Sequence, residues 1–247
     1  FIVTHKEQID DDHFLIEIKP KYDRWQYSYA NDYENKSIWN GNRLWSVEIK
    51  HPQIMVVRSY TPLPLYFLKS ELTRKGDRKP LLKVINNDAA DCDRNGTMVL
   101  YVKRYEDGEL SKYICLREIG NELELRGPDI EYTFPYSPTR DQYQAPIFRD
   151  LPSSMDVNRL EDVRLAKGLP PVDNVVFYGA GTGVAPILQS LMLRNPYAGF
   201  VTVHYSARNE GELKPLERLL FFLNKLDRLE FVPHYDTSSR LSGAEER

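Results

Sequence analysis

The chain has 247 residues, 41% hydrophobic and 28% charged, with 33 Lys and Arg against 36 Asp and Glu and a formal net charge of −3. A chain of that length buries roughly 70–75% of its unfolded surface, so it needs no metal or disulfide staple, and its near-neutral balance excludes a nucleic-acid backbone or an anionic bilayer as the main partner. Two cysteines, Cys92 and Cys115, exclude a four-thiolate iron–sulfur or zinc site, and no apolar run approaches the ~20 residues that cross a membrane.

From Phe1 to about Tyr136 the pattern is one of short strands, at 14–18, 44–49, 54–60, 65–68, 81–85, 97–102 and 122–126, with Pro and Gly between them. This texture predicts an antiparallel barrel or sandwich. Residues 19–41, rich in Tyr, Asn and Asp, are too polar for a strand and lack a helical period, so they read as a long insertion. Around 135–171 the chain becomes Pro-, Arg- and Asp-rich without a period, as connections between domains do. An apolar run at 174–178 follows, then a Gly-rich turn, a helix-like segment at 185–193, a run at 199–205, a Leu-rich segment at 213–226 and a run at 229–234. This β-α-β-α-β order, with strands apolar on both faces, predicts a parallel sheet between helices. The expected organisation is a β domain over 1–140, a connection over 141–171 and an α/β domain over 172–247.

Three segments have residue types suited to a phosphorylated, planar ligand. The run at 175–178 enters Gly179-Ala180-Gly181-Thr182-Gly183-Val184-Ala185-Pro186, a glycine-dense turn opening a helix. Glycines admit a ligand to the backbone, the helix start offers free N–H groups, and Pro186 suits a first helical turn. The usual dinucleotide fingerprint would have glycine at 184, and no Walker Lys-Ser/Thr follows. Spacing alone therefore leaves nucleotide binding in competition with an ordinary strand-to-helix turn. Arg58-Ser59-Tyr60-Thr61 offers a guanidinium for diphosphate, a ring to lie on a planar system and a hydroxyl for a ring nitrogen. By itself it is equally a half-exposed strand. Val102-Lys103-Arg104-Tyr105 leads into Gly108-Glu109-Leu110-Ser111, a candidate phosphate cradle that could as well be a hairpin turn.

Taken together and in this order, the three segments resemble the ferredoxin–NADP reductase superfamily, most closely its NADH–cytochrome b5 reductase branch. Arg58–Thr61, Val102–Tyr105, Gly108–Ser111, Arg126-Gly127-Pro128 and Gly179–Pro186 align with the branch's successive motifs over most of 1–235. The resemblance implies an antiparallel FAD-binding barrel followed by a nucleotide-binding α/β domain, with NADH or NADPH as hydride donor. It implies that Arg58 pairs with the FAD diphosphate, Tyr60 packs on the isoalloxazine and Thr61 bonds near flavin N5. Ser59 belongs to the same cofactor-binding motif. Lys103 and Tyr105 would line the flavin, while the Glu109 and Leu110 amides after Gly108 and the Ser111 hydroxyl would hold the diphosphate. Gly181, Thr182, Gly183 and Pro186 would form the nucleotide turn, with Thr182 where nicotinamide meets flavin. Thr61 and Thr182 are the catalytic candidates. Ser206 and Arg208 would face the nucleotide ribose; Arg208 either meets a 2′-phosphate or is a solvated arginine.

Ala180 and Ala185 replace a glycine and a threonine of the branch pattern, and its Cys-Gly-Pro-Pro-like segment does not occur before Arg247. The nucleotide domain is accordingly expected to be incomplete at its C-terminal end. The Tyr-rich insertion, Trp45-Ser46-Val47-Glu48 and 58–64 resemble fungal mitochondrial relatives that assist haem attachment to cytochrome c. That likeness implies a mitochondrial protein, an anchor before Phe1, and electron delivery to a haem protein, a haem lyase or apocytochrome c. The alternative is a flavin-containing assembly protein with little turnover. Cys115 reads as core, Cys92 as a poor thiolate between two aspartates, and 74–79 as a solvated basic loop. His5, His13, His51, His204 and His234 show no metal spacing, and 213–226 reads as a core stripe.

Overall fold

The structure is a computed structural model, and it describes residues 1–21, 39, 43–68, 81–85, 96–133, 175–192, 201–216 and 229–236. The expected insertion lies outside these residues except for 19–21 and Trp39; the connection at 141–171, the loop at 74–79 and Cys92 lie outside entirely. The antiparallel half comprises β1 (Ile2–Gln8), β2 (His13–Lys19), β3 (Arg43–Lys50), β4 (Val57–Tyr60), β5 (Leu65–Leu68), β6 (Leu81–Val84), β7 (Met98–Lys103), α1 (Glu109–Cys115) and β8 (Leu125–Thr133). Its strands pair in the orders β1-β2-β7, β4-β3-β8 and β5-β6. The parallel half comprises β9 (Val175–Ala180), a 3₁₀ turn at Gly181–Gly183, α2 (Val184–Met192), β10 (Val201–Ala207), a 3₁₀ segment at Glu210–Leu216 and β11 (Leu229–Tyr235). Both β9 and β11 pair with β10 in parallel. The architecture is the expected one, antiparallel sheets followed by a parallel sheet.

Strand periodicity explains why so many strands are apolar on both faces. Successive strand residues point to opposite sides, and here the two sides serve two cores. In β2, Phe14, Ile16 and Ile18 enter a core with Trp45, Val47 and Ile49, while Leu15 enters a second core. In β7, Met98, Leu100 and Val102 take the first core and Val99 and Tyr101 the second; in β5, Tyr66 takes the first and Leu65 and Phe67 the second. The second core continues into Ile187, Leu188 and Leu191 of α2 and Val201, Val203 and Tyr205 of β10. The two halves thus share one apolar seam. At about 1.5–3 kcal/mol per fully buried side chain, that seam outweighs the exposed ion pairs across the same boundary, worth roughly 0–1 kcal/mol each.

Glu17 is a charged residue among these apolar ones. Only 9% exposed, it accepts the Thr4 hydroxyl at 2.5 Å and the Phe67 amide at 2.6 Å, so one carboxylate joins β1, β2 and β5. Trp39, from the insertion, lies 4.8 Å from Trp45 ring to ring and donates its indole N–H to the Thr97 carbonyl at 3.1 Å.

Four expectations about local structure need correction. β1 was not anticipated, because its alternation is blurred by Thr4, His5 and Lys6. The strand expected at 54–60 begins at Val57; before it the chain bends, with the His51 amide on the Val56 carbonyl at 3.0 Å. The strand expected at 122–126 starts at Leu125 and runs through Gly127-Pro128 to Thr133. Its register against β3 shifts between Ser46 and Glu48, the kind of irregularity at which a strand tolerates proline. Gly108–Ser111 is neither a hairpin nor an open loop but the start of α1.

Candidate functional site

A cavity of about 490 Å³ opens where β4, the end of β7, the start of α1 and the 3₁₀ turn converge. From β4 and the residue after it, Arg58, Ser59, Tyr60 and Thr61 line it; from β7 and its exit, Lys103 and Tyr105. Gly108, Glu109, Leu110 and Ser111 form one rim, and Thr182, Gly183 and Pro186 the opposite half's contribution. Three segments up to 128 residues apart in sequence are therefore brought to one place. Gly181, expected in the nucleotide turn, and Ser206 and Arg208, expected at the nucleotide ribose, do not line it.

Arg58 and Tyr60 are two apart on β4 and share a face. Tyr60 is half-buried, and burial raises its phenol to about 12, so it stays a neutral ring and donor. The Arg58 guanidinium is exposed and donates to the Val57 carbonyl at 2.8 Å; among the described residues no carboxylate pairs with it. Lys103 Nζ lies 5.4 Å from the Tyr105 ring centroid and 3.9 Å from the Asp12 carboxylate.

The rim at α1 has one tight point. The Ser111 hydroxyl donates to the Gly108 carbonyl at 3.0 Å and accepts the Tyr105 amide at 3.1 Å. A Cβ on Gly108 would lie 2.5 Å from Ser111 Oγ and 2.9 Å from Tyr105 Cβ, so the turn closes only around glycine. Ser111 is 6% exposed and its proton is already engaged. It shapes the loop, where a ligand-holding hydroxyl was expected.

On the parallel half, Gly181 has φ +50°, a left-handed conformation that favours glycine. The Tyr205 hydroxyl donates to the Gly181 carbonyl at 3.1 Å and the Tyr101 hydroxyl, at the cavity wall, donates to the Glu212 carbonyl at 3.0 Å. Burial drives both phenols far above the ordinary tyrosine range.

Arg208 follows the carboxyl end of β10, and it is engaged. Its Nη2 lies 2.6 Å from Asp12 Oδ1 and its Nε 2.9 Å from Glu212 Oε1. Beside it, His13 is fully buried, with Nδ1 3.0 Å from carboxylate oxygens of both Asp10 and Asp12 and Nε2 4.0 Å from Glu212 Oε2. Burial opposes ionisation of Asp10, but amides of Asp12 and His13 and the His13 ring outweigh it and lower the carboxyl's pKa. Asp10, His13 and Glu212 could present one ligand atom each within 4.8 Å, yet Glu212 is already paired with Arg208 and Asp10 with the His13 ring. Histidine spacing in the sequence could not find this group, since Glu212 is 199 residues from His13. His204 and His234, on neighbouring strands, also meet, ring nitrogens 3.1 Å apart. Cys115 is buried as expected, and burial raises its thiol to about 11.

No family model matches the chain. It is 31% identical over 232 residues to the cytochrome c mitochondrial import factor CYC2 of Saccharomyces cerevisiae, a match covering 92% of this chain and 57% of that protein. The chain thus spans little more than half of that relative's length. Among solved structures it superposes on the flavohemoglobin of Malassezia yamatoensis with bound FAD and heme, with TM-score 0.53 and 16% identity over 97% of this chain and 45% of that one. A ferredoxin NADP+ reductase from Neisseria gonorrhoeae with bound FAD and NADP gives TM-score 0.50 and 12% identity over 94% of this chain and 65% of that one. The Amycolatopsis cytochrome P450 reductase GcoB gives TM-score 0.53 and 15% identity over 98% and 56%. This is the ferredoxin–NADP reductase fold. The 490 Å³ cavity lies where the antiparallel and parallel halves of this chain meet. No helix among the described residues is long and apolar enough to cross a membrane.

Proposed function

We propose that this chain is an FAD-dependent oxidoreductase that takes hydride from NAD(P)H and passes electrons to a haem or haem protein, in mitochondrial cytochrome c maturation. Residues 1–140 would be the FAD-binding domain and 172–247 the nucleotide-binding domain, joined by 141–171. The observation that carries the reading is the convergence of Arg58–Thr61, Lys103 and Tyr105, Gly108–Leu110, and Thr182, Gly183, Ala185 and Pro186 on one cavity. The mitochondrial setting and the haem acceptor rest on the likeness to the yeast import factor.

The residues fit a flavin dinucleotide. Arg58 is a guanidinium without a carboxylate partner among the described residues, suited to a diphosphate. The Gly108 turn, too tight for any Cβ, leaves the Glu109 and Leu110 amides on the cavity rim, where they would meet the same diphosphate. Tyr60, neutral at any physiological pH, would pack on the isoalloxazine with Tyr105 and Lys103 beside it. The chemistry that FAD supplies when bound is hydride acceptance from nicotinamide and electron release to an acceptor. Thr61 would meet flavin N5, because a hydroxyl both donates and accepts and can follow that atom through its change of protonation. Thr182 would position the nicotinamide, and Ala185 and Pro186 would help exclude water from the meeting point.

A second reading, an assembly protein that holds flavin with little turnover, is favoured by one observation: the yeast relative is named as an import factor. Anaerobic stopped-flow separates the two. The reductase reading expects a yellow protein whose flavin absorbance bleaches within seconds of mixing with NADH or NADPH and recovers on adding oxidised haem protein. A yellow protein that stays yellow supports the assembly reading; a colourless protein that FAD does not reconstitute ends both.

A further inference from the structure

The parallel sheet turns one face into the apolar seam, and its other face brings together two histidines 30 residues apart in sequence. Alternation along the strands sends Phe177, Val203, Tyr205 and Phe231 into the seam and sets Tyr178 of β9, His204 of β10 and His234 of β11 on the opposite face. Their rings form a row across the three strands. Tyr178 stacks on His204 with centroids 5.0 Å and planes 12° apart, and His204 stacks on His234 at 5.3 Å. His204 is level with Tyr178 and Val232, and His234 with Ser206, so paired backbone fixes the spacing of the two imidazoles.

Nδ1 of His204 and Nε2 of His234 are 3.1 Å apart. One N–H shared between them at an exposed position gains little over water. Two imidazole nitrogens so placed are also what a chelated transition ion requires: with metal–nitrogen bonds of about 2.0–2.1 Å, the 3.1 Å separation subtends roughly 95–100° at the metal, between square-planar and tetrahedral values. Among the described residues neither imidazole is paired with a carboxylate or a cation. His13 differs, since its nitrogens face Asp10, Asp12 and Glu212 beside Arg208. The geometry points to a binding site for a divalent transition ion of imidazole preference, Zn²⁺ or Cu²⁺, held between β10 and β11 by His204 Nδ1 and His234 Nε2, with water in its remaining positions. Tyr178 fixes the plane of the His204 ring. Mg²⁺ and Ca²⁺, which take oxygen ligands, are not held there. The site lies on the face away from α2 and needs neither flavin nor nucleotide, so it stands apart from the reductase reading.

Calorimetric titration of the full chain with ZnCl₂ and with MgCl₂ reads the ion directly, and the electron paramagnetic resonance spectrum of the Cu²⁺-loaded chain counts the coordinated nitrogens. Zn²⁺ is expected to bind and to raise the thermal midpoint, because the ion joins two strands only in the folded state, while Mg²⁺ does neither. His204→Gln and His234→Gln should each weaken Zn²⁺ at least about tenfold, the scale on which even the outer partners of metal ligands act, and should reduce the Cu²⁺ coupling from two imidazole nitrogens to one. Affinity should also fall at about pH 5.5, where protons compete for the same nitrogens. Melts of the metal-free variants, expected to match the metal-free parent, distinguish lost binding from lost folding, and the two-nitrogen signature of the parent depends on no variant. Unchanged Zn²⁺ affinity in both variants places the ion at other residues and overturns the inference. So does failure of the parent to bind Zn²⁺ or Cu²⁺, which leaves the pair a hydrogen bond only.

Discussion

Gln189 and Trp45 exchange two hydrogen bonds across the boundary between the halves. The Trp45 amide donates to Gln189 Oε1 at 2.9 Å, and Gln189 Nε2 donates to the Trp45 carbonyl at 3.0 Å and to the Pro62 carbonyl at 2.8 Å. Gln189 is fully buried, so none of these groups has water as a ready substitute. The amide of one α2 side chain thus fixes β3 and the stretch just after Thr61, and with them the floor of the candidate site.

Gln189→Ala should therefore destabilise the protein by about 3 kcal/mol or more, since three backbone groups lose their partner and each unsatisfied group costs roughly 1–3 kcal/mol. Gln189→Glu should be no better: it keeps an acceptor for the Trp45 amide but sets a carboxylate against two carbonyls. Urea midpoints at constant m-value check both. A loss below about 1 kcal/mol in both variants would mean that water enters the seam and that Gln189 does not hold it.

Arg58→Ala should separate binding from folding. The side chain is exposed and its bond is to its neighbour's carbonyl, so the thermal midpoint of the flavin-free protein should barely move, within about 0.5 kcal/mol. The FAD dissociation constant should rise at least about tenfold if the guanidinium meets the diphosphate. Gly108→Ala should weaken FAD by a different route, through the 2.5 Å approach of its Cβ to Ser111 Oγ; pairing it with Ser111→Gly should recover part of the loss. Unchanged FAD affinity in Arg58→Ala would remove that residue from the site.

The parts of this site that were legible in the sequence were those carried by unusual composition over a short span. Arg58–Thr61, Gly108–Ser111 and 179–186 stand out because a strand end or turn rarely combines such residues, and each does line the cavity apart from residues 179–181 and Val184. α1 was illegible because seven residues are too few for a helical period to emerge. Gln189 was illegible because a single amide in the apolar run of α2 says nothing about which backbone it will face. The Asp10–Asp12, His13, Arg208 and Glu212 group was illegible for a third reason: it forms only when the hairpin between β1 and β2 docks on the segment after β10. The short strands between Pro and Gly gave the barrel or sandwich; that β2, β5 and β7 divide their faces between two cores is a property of the docked halves.

Cys115 should be inert in the folded protein. Its thiol is 3% exposed and burial raises it to about 11, with Arg104 and Lys6 only partly opposing. Since the thiolate is the reactive form, a Cys92→Ser variant should release no colour from a disulfide reagent at pH 8 until denaturant is added, and then one equivalent. Rapid native labelling would show that α1 opens readily and would weaken its assignment as a fixed rim.

The raised tyrosines should make the fold sensitive to alkali. Burial is the main cause at Tyr60, lifted from 10.0 to about 12, and at Tyr101 and Tyr205, lifted further. In the unfolded chain these phenols ionise near pH 10, so above that pH the folded state holds more protons than the unfolded one. Stability then falls with rising pH: the contribution of the neutral phenols is fully present below about 10 and disappears for Tyr60 as pH passes about 12. Urea midpoints should decline progressively above pH 10, and Tyr60→Phe, which cannot ionise, should decline less steeply than the parent. Tyrosinate absorbance should lag behind the count of tyrosines until unfolding and then rise with it. Parallel declines for parent and variant would show that Tyr60 titrates normally and that its ring is wetter than its place in the cavity wall requires.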